Sequence, residues 1–154
     1  MVDTPAVRVV AGSGLHHEIV EYGRVGSVEE AATARGVALD RVIKTIVVRK
    51  GEGDLLLVLV PGDRVIDWAR LRKVCGVSRL SLASAEEALA ATGYVPGTIT
   101  PFGSLTALPV IADAAMGGLA SIGGGAPGVA INLDAGDLIA FLEAKVEDVT
   151  RVAQ

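Results

Sequence analysis

Apolar and polar positions along this chain repeat with two different periods, and glycine and proline punctuate the segments between them. Thr4-Pro5 sets a capping hydroxyl ahead of a residue suited to the first helical turn. A short helix is therefore expected up to Gly12-Ser13-Gly14. Glu18 to Tyr22 reads as a strand. Ser27-Val28-Glu29-Glu30 is a capping-box signature, in which Ser27 and Glu30 satisfy each other's amides, and its helix runs to about Gly36. Val42 to Lys50 and Leu55 to Val60 are β-rich runs joined by Gly51-Glu52-Gly53-Asp54. They predict a hairpin whose second strand is buried on both faces.

Further on, Asp67 is placed to cap a helix carrying Trp68, Leu71 and Val74, which Gly76 ends. Ser84 and Glu87 form another capping box before a short Ala-rich helix. Gly and Pro recur too often between Gly93 and Gly103 for a regular element, so a long shaped loop is expected. Pro109 to Ala112, Leu119 to Ile122 and Val129 to Leu133 read as three more strands. Asp134 caps a last helix with Leu138, Ile139, Phe141 and Leu142 on its apolar side. The hairpins exclude a purely parallel sheet. The reading is an α+β fold, a mixed, barrel-like β-sheet flanked by helices.

The 154 residues suit one compact domain, 1–154, with no internal repeat or linker. Hydrophobic residues make up 51% and charged residues 21%, which argues against disorder. No apolar run is long enough to span a bilayer. Met1-Val2-Asp3-Thr4-Pro5 lacks the pattern of a secretory signal, and the single Cys75 cannot form an internal disulfide, so a cytoplasmic location is expected. The net charge of −4 changes the functional picture, because an acidic chain neutralises few phosphates and should hold an RNA backbone weakly.

Familiar catalytic groupings are mostly missing. His16 and His17 are adjacent, with no ligand cluster at metal spacing, and read as exposed loop or strand-edge residues. Cys75 reads as a buried structural thiol on an amphipathic helix. The runs Gly117-Gly118 and Gly123-Gly124-Gly125 lack the spacing of a dinucleotide fingerprint. No metal and no cofactor are expected.

Three features remain. Lys44 shares a strand face with Val42, Ile46 and Val48. Its ammonium either reaches a cavity or partner there, or snorkels to water from a strand end. The stretch Gly93 to Gly103 can bring backbone amides close to a ligand and hold them rigid with Pro96 and Pro101, as an oxyanion requires; the alternative is an ordinary surface loop. Ser121 to Gly128 repeats that logic between two strands, where a bulged turn is the alternative.

Taken in order, several stretches resemble the YbaK/prolyl-tRNA-synthetase-associated family of aminoacyl-tRNA editing domains. They are Glu29-Glu30-Ala31-Ala32, Val42 through Val47, Thr92 through Gly103, Gly123 through Gly128, and Ala135-Gly136-Asp137-Leu138. The resemblance implies a mixed, barrel-like sheet and hydrolysis of the ester of a mischarged tRNA. It implies that Lys44 is the pocket lysine at the 3′-terminal adenosine and ester, and that Gly97 through Gly103 supply amides around the carbonyl. Thr98, Ile99, Pro101, Phe102, Gly103, Gly123 and Gly124 are then substrate-binding candidates, with Tyr22 as a pocket tyrosine. The nucleophile would come from water or from the substrate.

Relatives acting on Ala-tRNA typically carry a histidine near the glycine-rich turn, which this sequence lacks. That moves it toward the Cys-tRNA(Pro) deacylase branch, although that branch often has a serine where Gly123 stands and an acidic residue near Ala130. Asp137 matches the family too, but capping with Asp134 explains it. Cys-tRNA(Pro) is the leading substrate. The alternatives are a tRNA carrying Ala, Ser or a non-protein amino acid, or a non-catalytic module that binds a nucleotide or a synthetase. Prolyl-tRNA synthetase is the partner that the resemblance suggests. If selectivity instead lies in this chain, Arg70, Arg72, Lys73 and Arg79 are its first candidates.

Overall fold

The computed structural model describes residues 2–154; Met1, counted in the N-terminal stretch above, lies outside them. In chain order the elements are α1 (Pro5–Gly12), β1 (His17–Glu21), α2 (Val28–Arg35), β2 (Val42–Gly51), β3 (Asp54–Pro61), β4 (Arg64–Ile66), α3 (Trp68–Cys75) and β5 (Ser81–Leu82). Then come α4 (Ala85–Thr92), β6 (Val110–Asp113), β7 (Leu119–Gly123), β8 (Val129–Asp134), α5 (Ala135–Leu142), β9 (Lys145–Glu147) and β10 (Thr150–Val152).

The main sheet runs β1-β8-β7-β2-β3-β6-β9, with β5 added on β2. The pairs β1–β8, β8–β7, β2–β3 and β2–β5 are antiparallel; β7–β2, β3–β6 and β6–β9 are parallel. A small second sheet joins β10 to β4. This is the mixed α+β architecture that the alternation of hairpins and helices predicts. Leu55 through Pro61 of β3 are all buried, as a strand covered on both faces requires. Leu56, Val58 and Val60 face α3 and Val48, while Leu59 joins Ile43, Phe102 and Leu138 in a second cluster.

The capping signals hold with one correction. Thr4 accepts from Val7 N–H, Asp67 from Arg70 N–H and Asp134 from Asp137 N–H. Ser84 and Glu87 make the full reciprocal box. Ser27 accepts from Glu30 N–H at 3.1 Å, but Glu30 Oε2 takes the amide of Gly26 at 2.6 Å rather than that of Ser27. Phe141, expected on the buried side of α5, is 43% exposed, although its ring sits 5.5 Å from that of Phe102. The short strands β4, β5, β9 and β10 carry no period of their own and exist by pairing.

Candidate functional site

Strand β2 has an interrupted outer edge. On one side it pairs with β3 along its length; on the other, β7 covers only Val42 and Ile43, and β5 only Val48 and Arg49. Successive strand residues turn their main-chain groups to opposite neighbours. Val42 O accepts from Gly62 N–H beyond β3, and Val47 O accepts from Ala83 N–H beside β5. Thr45 shares the parity of Val47, so its N–H and C=O face the gap. Its Oγ1 is also buried without a hydrogen-bond partner.

A cavity of about 410 Å³ lies over this gap. Its floor is Val42 to Ile46, one wall is Tyr22, Ala31 and Arg35, and its roof is Gly97, Ile99 and Gly123. Of the residues expected at a site, Lys44, Gly97, Tyr22, Ile99 and Gly123 thus border one space. A second hollow of about 400 Å³ adjoins it, sharing Tyr22 and Gly97 and lined also by Thr98. Gly123 has no side chain where the roof loop passes; a Cβ there would sit 3.3 Å from Ile99 O.

Lys44 is half-buried, and its Nζ donates to Arg64 O at 2.7 Å. Burial pulls its pKa below the ordinary lysine value, and the carboxylates of Asp63 and Glu29 oppose that shift. The anchoring carbonyl is itself held in place. Arg64 Nε donates to Thr150 Oγ1 at 2.6 Å and lies 3.8 Å from Asp113, whose side chain is 1% exposed. Of the two alternatives for Lys44, the structure shows the first: the side chain borders the cavity, and its ammonium has a partner in a main-chain oxygen rather than snorkelling to water.

Arg35 is the residue that the sequence reading missed. It donates to Tyr22 Oη from Nη2 at 3.1 Å and Nε at 3.3 Å, and to Ser121 O from Nη1 at 3.2 Å. Its guanidinium also stands 5.5 Å from the Tyr22 ring centre, within cation–π range. A helix-terminal arginine ordinarily complements the helix dipole. The available signal was its i, i+4 spacing from Ala31, which puts both on the face turned to the cavity.

The loop from Gly93 to Gly103 divides into a roof and a scaffold. Gly97 has φ +90°, and among the described residues its N–H is taken by no acceptor. Thr98 N–H and Oγ1 both return to Val95 O. Pro101, Phe102, Gly103 and Gly124 do not border the cavity. Phe102 is 1% exposed in the core, and its carbonyl accepts from Tyr94 Oη at 2.7 Å. Gly103 presses on Pro5, and Gly124 on Val129. Gly124 O also accepts from Thr4 Oγ1 at 2.6 Å, tying α1 to the glycine turn.

Elsewhere, Cys75 is half-buried rather than buried, packed beside Val74. His16 is exposed, and His17 opens edge strand β1. Asp137 lies away from Lys44, in the first turn of α5. Among the described residues, no group of three His, Cys, Asp or Glu side chains is placed to hold a metal ion.

The chain is 32% identical over 112 residues to the proline–tRNA ligase of Stenotrophomonas maltophilia (strain K279a), covering 71% of this chain and 19% of that enzyme. With the same ligase of Xanthomonas campestris pv. campestris (strain 8004) it is 32% identical over 129 residues, 84% of this chain and 22% of the ligase. The chain thus spans about a fifth of the length of the curated relatives it matches. A crystal structure described as a candidate trans-editing enzyme for prolyl tRNA synthetase superposes with TM-score 0.83 at 28% identity. It covers 97% of this chain and 99% of that one. A hypothetical protein at 23% identity shares the fold, with TM-score 0.85 over 96% of this chain and all of its own. The model of the aminoacyl-tRNA editing domain matches residues 23–141, and the chain belongs to that family.

Proposed function

We propose that this chain is a trans-acting aminoacyl-tRNA deacylase, with Cys-tRNA(Pro) as its leading substrate, working in the cytoplasm where tRNA is charged. The observation that carries the reading is the convergence of Lys44 and the Gly97 roof on one cavity over the open edge of β2. An aminoacyl ester is already activated, so a site need only position it and stabilise the charge that develops.

In this account the ester carbonyl lies between Lys44 and Gly97. A water molecule, or the substrate's own side chain, attacks the carbonyl carbon. The oxygen gathers negative charge, which the Lys44 ammonium and the Gly97 N–H meet. The tetrahedral intermediate then expels the ribose oxygen, which takes up the proton that the nucleophile gives up. With water as nucleophile the products are the free amino acid and the uncharged tRNA. Thr45 offers a main-chain donor and acceptor to the terminal nucleoside, and Tyr22, held by Arg35, closes the wall.

Discrimination in trans suits amino acids that a synthetase pocket cannot reject by size alone. A deacylation assay across Cys-, Ala-, Ser- and Pro-tRNA(Pro) tests the proposal. Hydrolysis of Cys-tRNA(Pro) with Pro-tRNA(Pro) spared is the expected result. Faster loss of Ala or Ser would move the assignment to another mischarged tRNA, and no turnover of any ester would leave a binding module.

A further inference from the structure

Three hollows follow one another along β2. The cavity over the gap shares Lys44 and Ile46 with a groove of about 320 Å³ lined by Val65, Trp68, Leu82 and Arg151. That groove reaches Leu82, where a third hollow of about 420 Å³ begins at Ser81 and gathers Arg49, Lys50, Arg72 and Arg79. The chain has 14 Lys and Arg and a net charge of −4, so four cations in one concavity stand out from an acidic background. Arg49 is paired with Glu87 at 3.1 Å. Among the described residues, Lys50, Arg72 and Arg79 make no ion pair.

Helix-dipole complementarity accounts for Arg72 and Lys73, in the last turn of α3. It does not account for Arg49, Lys50 and Arg79, which arrive from two other segments. Like charges brought together repel unless a polyanion joins them. The middle groove says which polyanion fits. Half-buried Trp68 and Leu82, the latter 60% exposed, line it with Arg151 beside them, and an indole next to a guanidinium is a pairing on which nucleic-acid bases stack.

We propose that single-stranded RNA lies along β2, its phosphates on Lys50, Arg72 and Arg79, its bases against Trp68, and its 3′ end at Lys44. From Lys44 to Arg49 the strand covers five residues, roughly 17 Å at ~3.3 Å each. At ~3.4 Å of axial rise per stacked nucleotide, about five nucleotides bridge that span. The track rests on the deacylase reading for what lies at its end. It also explains how an acidic chain holds an RNA strand, by concentrating its cations where the strand passes. Arg70, beside this patch in sequence, takes no part because Asp148 and Asp67 hold it, at 3.1 Å and 3.6 Å.

Trp68 is the only tryptophan, so its emission reports the middle groove directly. The full chain is titrated with a short single-stranded RNA ending in CCA, at several salt concentrations. Saturable quenching is expected, with affinity falling as salt rises. In Arg72→Ala/Arg79→Ala the slope of log K against log salt should be shallower by about 1.4, two contacts at ~0.7 each. If that double variant fails to fold, the exposed Arg79→Glu replaces it, with binding weakened at least about tenfold as one charge reverses, a change of two units. Unchanged emission, an unchanged slope, equal binding of the same RNA as a blunt duplex, or equal quenching by polyglutamate would overturn the track. The probe carries no ester, so the two proposals fail separately. RNA binding without deacylation removes the deacylase reading, and hydrolysis of an aminoacyl-adenosine ester without RNA binding removes the track.

Discussion

The guanidinium of Arg35 holds the hydroxyl of Tyr22 through two nitrogens, at 3.1 Å and 3.3 Å, while its third nitrogen donates to the carbonyl of buried Ser121. One side chain thus fixes α2 to β7 and sets the orientation of the tyrosine beside the cavity. Arg35 also lines a larger hollow of about 580 Å³ on its far side, so it forms the partition between the two spaces.

That relationship gives the first prediction. Arg35→Ala frees the Tyr22 hydroxyl and opens the partition, and it should lower the single-turnover deacylation rate at least about tenfold, or ~1.4 kcal/mol. Tyr22→Phe keeps the ring and loses one hydrogen bond, so its cost should be smaller, about 0.5–1.5 kcal/mol. Equal and wild-type rates in both, with folds preserved by circular dichroism, would remove the wall from the site.

Lys44 gives a prediction in pH. Burial lowers its pKa, so its ammonium is lost at a lower pH than that of an ordinary lysine. Between the two values the unfolded chain binds the proton that the folded chain has released, and stability therefore rises with pH across that window. Stabilisation of the oxyanion falls across the same window. The expected profile of kcat/KM, corrected for spontaneous ester hydrolysis, has an alkaline limb below the ordinary lysine range. Lys44→Arg should move that limb upward. A limb at the same pH in both proteins would mean that another group titrates.

Much of this arrangement is legible locally, and the reasons are particular. Caps at Thr4, Asp67, Ser84 and Asp134 involve groups within three residues, so the chain itself specifies them. Lys44 is visible because a charge among branched apolar residues violates the strand pattern. Arg35 is hidden because a cation ending a helix violates nothing. The gap in the sheet depends on where β5 and β7 stop, which no run within β2 records. Glycine content alone does not separate Gly97, in the roof, from Gly103 and Gly124, whose small size serves packing against Pro5 and Val129.

Cys75 tests for a covalent route. It is half-buried on α3 and does not border the cavity. Cys75→Ala, or a thiol reagent on the native chain, should leave single-turnover hydrolysis within about twofold of wild type, since no thiolate takes part. Loss of activity with the fold intact would point to a covalent intermediate at this thiol.

Prolyl-tRNA synthetase, the partner expected from the sequence, would select the tRNA for the proposed deacylase. Tethering raises the effective concentration of the site at the acceptor end without any new contact in the cavity. Adding prolyl-tRNA synthetase should therefore sharpen discrimination between Cys-tRNA(Pro) and Cys-tRNA(Cys), at fixed and stated salt. Strong discrimination by the isolated chain, unaltered by the synthetase, would place selectivity in the chain's own basic surface.

The central claim is that the cavity over the open edge of β2 hydrolyses a mischarged ester by means of Lys44. The measurement that reaches it most directly is single-turnover hydrolysis of Cys-tRNA(Pro) by the wild-type chain and by Lys44→Ala, with Pro-tRNA(Pro) as the control. The account predicts hydrolysis of the cysteinyl ester, sparing of the prolyl ester, and a loss of at least about tenfold in the folded variant, roughly 1.4 kcal/mol of transition-state stabilisation. Wild-type rates in a well-folded Lys44→Ala protein, or no hydrolysis above the spontaneous rate by the wild type, would contradict it.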